Sequence, residues 1–435
     1  MTDAGIGLTG LATLIALIAV RVPIGIALIG VSFTGLYVLM CPRVAWGAMS
    51  IVPYEFTSSW ILSSIPMFLL MGFIAFHTGM TGGLFDAAKA ILRRIPGALA
   101  ISSIFACSGF AAVCGSSLAT AAAMGRIAIP EMVKSGYSPS FATGSIAAGG
   151  TIGALIPPSI LMIVYGVFAE TSVIKVFVGG VSIGLLTALA YTVVVLLTCW
   201  LRPDIAPPRP LDAGEIDTKK AVLEIWPVLL LMAIVFGGLF SGVFTATEAG
   251  AVGALGSILI ATVTRRLTWP AFKTSMIETL MTSSSLFVIG VGASMFTRFL
   301  GLTGLTGFIS GVVSGADLGY VELMIIVVVV YLILGMFMEP FGAMLVTLPV
   351  LLPIFRAEDI NLIWFGVFCV KLLEIGMITP PVGLNVFVIR NVASEYATVV
   401  QIFKGVIPFL LADLVVVAIA IAFPGLVLFL PSLLQ

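Results

Sequence analysis

The chain has 435 residues, of which 60% are hydrophobic and only 9% charged, and its mean hydropathy is +1.23. Soluble domains carry about 25% charged residues, so this composition excludes a water-soluble globular protein and marks a polytopic protein of the lipid bilayer. Twenty Lys+Arg against twenty Asp+Glu leave a net charge of zero, which gives no pull toward nucleic acid.

The N-terminal MTDAGIGLTG has neither a basic leader nor a small-residue cleavage site, and reads as the start of a first membrane helix. Apolar stretches predict about ten crossings, near 5–20, 22–40, 60–78, 138–168, 174–200, 225–241, 244–264, 276–299, 361–389 and 404–431. Arg21 and Pro23 mark a tight turn between the first two. Trp46, Tyr54, Trp60, Trp226, Trp269 and Trp364 fall near segment ends, where interfacial aromatics belong. Five scattered cysteines, an odd number without metal-type spacing, argue against a disulfide framework.

Two apolar stretches, 98–131 and 321–353, fit no single crossing. As one helix each would run to about 50 Å, against a hydrocarbon core of about 30 Å. Two full crossings need about 40 residues. A re-entrant hairpin with legs of about 15 residues is the expectation for both. The first would turn at Cys114-Gly115-Ser116-Ser117, the second near Glu339-Pro340-Phe341-Gly342.

The two halves repeat. IGALIPP places Gly153 before Pro157-Pro158, and IGMITPP places Gly376 before Pro380-Pro381, at a shift of 223 residues. Pro130 and Pro353 keep the same shift. Each Pro-Pro pair breaks a helix, because proline lacks an N–H and clashes with the preceding turn. The expected organisation is a first repeat over 1–201, a polar cytoplasmic linker over 202–224 and a second repeat over 225–435. Five crossings per repeat would invert the second relative to the first, an architecture of secondary transporters. That topology puts fifteen Lys/Arg on one side, from Arg21 to Lys404, and only Arg43, Lys175, Arg298 and Arg356 on the other. The positive-inside rule then places both termini outside the cytoplasm.

Broken helices and hairpin tips offer backbone and hydroxyl oxygens to a hard cation such as Na+, and helix N-termini to an organic carboxylate. The candidate first cation site is Gly115, Ser116 and Ser117 with Gly149, Gly150 and Thr151. The second is Glu339, Gly342, Glu374, Gly376 and Thr379. Ser116, Ser117, Gly342, Pro157 and Pro380 are the candidate substrate contacts. For any one glycine, close helix packing is an equally good reading. Lys371 and Glu374, three apart on one predicted helix, are expected to pair within the membrane, as a structural ion pair or as support for the second site.

Several runs resemble the large membrane subunit, the M component, of tripartite ATP-independent periplasmic (TRAP) transporters. They are AVCGSSLATAAAMGRIAIPEM, ATGSIAAGGTIGALIPPSILMIVYG, GVFTATEAGAVGA at 242–254, and the segment from Lys371 through EIGMITPPVGLNVFVI. The resemblance spans nearly the whole chain. It implies an all-α elevator-type transporter in the bacterial inner membrane, driven by a sodium gradient. It also implies a small four-helix membrane partner and a periplasmic solute-binding protein that delivers an organic acid. Many relatives carry Asp where this chain has Thr120, so a charged role does not transfer to that position.

His77, the only histidine, shows no partner in the sequence and reads as interfacial. LFDAAKAILRRIPG reads as a horizontal connecting helix with its counterpart at 302–318, and Glu248 as a helix N-terminal charge. A stand-alone carboxylate–sodium symporter or ion antiporter of related fold is the alternative function. An intramembrane enzyme lacks a nucleophile–base or metal constellation, and paired breaks fit alternating access better than a continuous pore.

Overall fold

The structure, a computed structural model, describes residues 2–207, 223–315 and 319–434. Most of the expected 202–224 linker lies outside the described residues. Among them the chain is entirely helical. In the first half, α1 (Asp3–Ala19) and α2 (Ile24–Leu39) are followed by α3 (Pro42–Thr57) and α4 (Ser64–His77). Then come α5 (Gly83–Leu92), α6 (Ala98–Cys114), α7 (Ser117–Lys134), α8 (Pro139–Thr151), α9 (Ile160–Phe168) and α10 (Val173–Leu201).

The second half opens with α11 (Trp226–Phe240), α12 (Ala246–Val263) and the 34-residue α13 (Trp269–Leu302). It continues with α14 (Leu305–Gly315), α15 (Tyr320–Phe337), α16 (Pro340–Ala357), α17 (Leu362–Gly376) and α18 (Leu384–Val392). The last two helices are α19 (Val399–Ala422) and α20 (Pro424–Ser432).

Local chemistry explains the starts. Ser138, Thr268 and Asn361 accept backbone N–H groups as N-caps of α8, α13 and α17. Thr398 and Gln401 form a reciprocal capping box on α19, as Thr245 and Glu248 do on α12. Glu248 is thus a helix N-terminal charge, as expected.

Among the described residues six helices are long and apolar enough to cross a membrane, or seven if α3 and α4, bent by 59°, form one broken span. The difference from ten crossings has a local origin. α1, α2 and α11 stop at 15–17 residues, and the proline pairs split the 138–168 and 361–389 segments. α15 and α16 have 18 residues each, longer than the legs expected for a hairpin. The helix α3 has no counterpart in the expected spans, because its mixed polar and apolar residues fit no uniform apolar run. The stretch 302–318, expected as a connecting helix, holds α14, with residues 316–318 outside the described part.

The two halves interlock rather than stand side by side. α4 packs on α12, α2 on α13, and α8 on α19. The α8–α19 crossing is made by Gly144 and Gly405: a Cβ on Gly405 would lie 1.8 Å from the Ser140 carbonyl oxygen, so only glycine fits. One buried cluster joins α2, α4, α13 and α17, and a second joins α6, α7, α8 and α19.

Candidate functional site

A cavity of about 320 Å3 lies where the α6–α7 and α15–α16 tips meet the two helix breaks. Gly115, Ser116 and Ser117 enter from one tip, and Glu339, Pro340 and Phe341 from the other. Ala154 and Ile160 come from the first break, Glu374 and Met377 from the second. Leu69 and Phe73 of α4 with Thr282 and Leu286 of α13 close the opposite, largely apolar wall.

The first tip is fixed by backbone geometry. Gly115 has φ +61°, and a Cβ there would sit 2.2 Å from the Pro158 carbonyl oxygen. Any other residue would be strained and would clash. The tip therefore lies directly on the first break. Ser116 is extended and half-buried, and its carbonyl accepts the Thr120 hydroxyl at 2.8 Å. Neutral Thr120 thus caps that carbonyl. Both proline pairs, Pro157-Pro158 and Pro380-Pro381, have cis peptide bonds.

Ser117 and Glu374 connect the halves across the cavity floor: the Ser117 hydroxyl donates to Glu374 Oε2 at 2.5 Å, with both side chains buried. Here the expected Lys371–Glu374 pair is corrected. Lys371 Nζ instead pairs with Asp413 Oδ1 of α19 at 2.5 Å, both fully buried. Three residues on a helix are offset by about 60°, enough for the two side chains to diverge toward different neighbours. The Tyr191 hydroxyl of α10 donates to Asp413 Oδ2 at 2.7 Å and lies 3.2 Å from Thr151 Oγ1. Lys371, Asp413, Tyr191 and Thr151 thereby form one buried polar network through α17, α19, α10 and α8.

The other predicted site residues divide clearly. Thr151 serves that network and also donates to the Ala148 carbonyl at 2.7 Å, so it does not face the cavity. Gly149 and Gly150 pack on Cys107 and Ala121, and Gly376 on Gly335, where added Cβ atoms would crowd their neighbours. Gly342 abuts Ile24 of α2 instead of lining the cavity. Thr379 donates to the Ile375 carbonyl at 2.7 Å. Pro157 is buried, Pro380 is exposed, and neither lines the cavity. Proline here shapes the break, while its neighbours supply the lining.

Asp413 and Asn385 did not figure in the expectation, and His77 figured there without a partner. Asp413 is the only acid in α19, a signal that an intramembrane charge should have drawn attention. Asn385 is fully buried, donates from its backbone to the Met377 carbonyl at 3.0 Å, and leaves Oδ1 without a donor among the described residues. His77 has a partner after all, with Nε2 2.9 Å from Glu278 Oε2 of α13. No group of three or more His, Cys, Asp or Glu side chains among the described residues could hold a metal ion.

Helices broken at a central cavity, within a chain this apolar, define a polytopic membrane transporter. The fold is similar to that of the Alcanivorax borkumensis YdaH transporter, with a TM-score of 0.64 at 15% identity over 89% of this chain and 90% of that one. More particularly, the chain belongs to the family of the tripartite ATP-independent periplasmic transporter DctM component, whose model matches residues 11–426. The Pseudomonas aeruginosa C4-dicarboxylate TRAP transporter large permease protein DctM is 38% identical over 88% of this chain and 89% of its own length. The Vibrio cholerae sialic acid TRAP transporter large permease protein SiaM is 30% identical over 96% and 97%. The isethionate TRAP transporter permease protein DctMQ of Oleidesulfovibrio alaskensis is 34% identical over 86% of this chain and 59% of that protein. These relatives are transporter permease subunits, not enzymes.

Proposed function

We propose that this chain is the membrane permease of a sodium-coupled, binding-protein-dependent secondary transporter that imports an organic acid by an elevator movement. The observation that carries the reading is the cavity, where two helix tips, two helix breaks and the Ser117–Glu374 bond converge. The tips act as re-entrant hairpins, the halves as an inverted repeat of about ten crossings, and both termini face the periplasm of a bacterial inner membrane.

Na+ suits the oxygen-rich breaks. The Ser116 hydroxyl beside the first break, and Asn385 Oδ1 with Glu374 and Glu339 near the second, are the oxygens proposed to receive it. Gly149, Gly150, Gly376 and Gly342 serve packing in this reading. The relatives' names carry dicarboxylate, sialic acid and isethionate, all organic acids, and this supports the substrate class. The fused DctMQ name supports a small membrane partner, and a periplasmic binding protein completes the system.

Uptake into proteoliposomes tests it. Transport is expected only with an inward Na+ gradient, the small subunit and the binding protein together. Robust uptake by this chain alone would favour a stand-alone symporter.

A further inference from the structure

A second crevice, of about 540 Å3, opens where the C-terminal end of α10 meets the first turns of α19 and the start of α8. Its walls are apolar. Val194, Leu197 and Leu201 come from α10, and Pro408 and Leu411 from α19. Leu197, Leu201 and Leu411 are exposed, 48%, 66% and 59%, so the crevice opens sideways along the surface that meets hydrocarbon.

At its polar end stand Arg202 and Lys404. Both are exposed, and neither forms a salt bridge with any carboxylate among the described residues. The floor is built. The Gly144–Gly405 crossing draws α8 and α19 together beneath it. The chain after α10 is pinned back by the Ser138 backbone N–H, which donates to the Ile205 carbonyl at 2.9 Å. The Ser140 hydroxyl donates to the Gln401 carbonyl at 2.5 Å. The Ser138 oxygen caps α8, which leaves its hydroxyl proton free to donate at the positive end of that helix.

We infer that this crevice binds an anionic phospholipid, its phosphate against Arg202 and Lys404 and an acyl chain along the α10–α19 wall. Two cations that meet no carboxylate among the described residues, above an apolar slot, complement such a lipid at both ends. A free phosphate would make no use of the walls. A choline headgroup would bring a further positive charge toward two existing ones. The inference requires only that the chain spans a bilayer, and is independent of sodium coupling.

Native mass spectrometry of the purified full-length protein tests it, with phosphatidylglycerol and phosphatidylcholine of matched acyl chains. The wild type is expected to retain phosphatidylglycerol at a concentration lower by at least about tenfold, the scale set by two basic groups at a membrane surface. Arg202→Ala with Lys404→Ala should abolish that preference, and Leu197→Gln with Leu411→Gln should weaken binding of both lipids. Arg93→Ala with Arg94→Ala, at exposed cations elsewhere, should change nothing. Equal retention of the two lipids, or an unchanged preference in the Arg202/Lys404 variant, would overturn the inference. So would displacement of the lipid by millimolar inorganic phosphate, the mark of a simple anion site.

Discussion

Lys371 and Asp413 form a fully buried ion pair, Nζ to Oδ1 2.5 Å, that ties the second broken helix to α19. Tyr191 completes the shell of Asp413 from α10, a helix of the first half. The pair is therefore part of the join between the two halves, close to the cavity yet not lining it.

Breaking that pair on one side should be costly. Lys371→Met leaves the buried Asp413 carboxyl without its cation, with only the Tyr191 hydroxyl beside it, a loss of about 3–5 kcal/mol for buried pairs. The expected result is a sharp fall in folded protein, read by size-exclusion chromatography after a heat challenge. Lys371→Met with Asp413→Leu should recover most of the folded yield. If the double variant is no better than the single one, the pair does not act as a unit.

Tyr191→Phe removes one hydrogen bond to Asp413 and keeps the ring. A loss of about 1.5–3 kcal/mol is expected, the scale for a hydrogen bond to a charged group. The same heat-challenge measurement checks it, and a midpoint unchanged from wild type would show that the hydroxyl adds nothing.

Ser117 and Glu374 should behave differently, because they line the cavity. Ser117→Ala and Glu374→Gln are expected to raise the Na+ concentration for half-maximal uptake several-fold, about 1 kcal/mol for a lost hydrogen bond, with near-normal abundance. Ser116→Ala should shift it in the same direction. Thr379→Val should not, since Thr379 does not line the cavity. An Na+ dependence untouched in all four would limit these residues to packing.

The glycine contacts give a steric test. Gly405→Ala would drive a methyl into the Ser140 carbonyl, and overpacking of this kind costs about 1–3 kcal/mol or more. Gly30→Ala has nothing within 4 Å and should be silent. Equal thermal stability of the two variants would contradict the tight α8–α19 crossing.

Membrane orientation is open to reporter fusions. A fusion after Pro207 should report the cytoplasm and one after Leu434 the periplasm. Finding the Pro207 fusion outside would reverse the proposed topology.

Much was legible in the sequence because membrane physics is severe. A backbone in hydrocarbon must satisfy itself, so apolar runs announce helices, and Pro157-Pro158 and Pro380-Pro381 announce where they stop. The turns at Gly115-Ser116 and at Met338-Glu339 fall where small or polar residues interrupt apolar runs. The motifs around them carried the family likeness. Local signals of this kind depend on residues near in sequence, and a sequence displays them directly.

What only the tertiary structure decided was partnership. Lys371 lies three residues from Glu374 and 42 from Asp413, yet it pairs with Asp413. Ser117 reaches Glu374 across 257 residues. His77 finds Glu278 on a helix from the other half. The close neighbours of Gly149, Gly150, Gly342 and Gly376 belong to distant helices, and the atoms that a Cβ would meet there show them. Side-chain direction and the crossing of distant helices fix these contacts. Both arise from packing the whole chain at once, and no local run of residues encodes them.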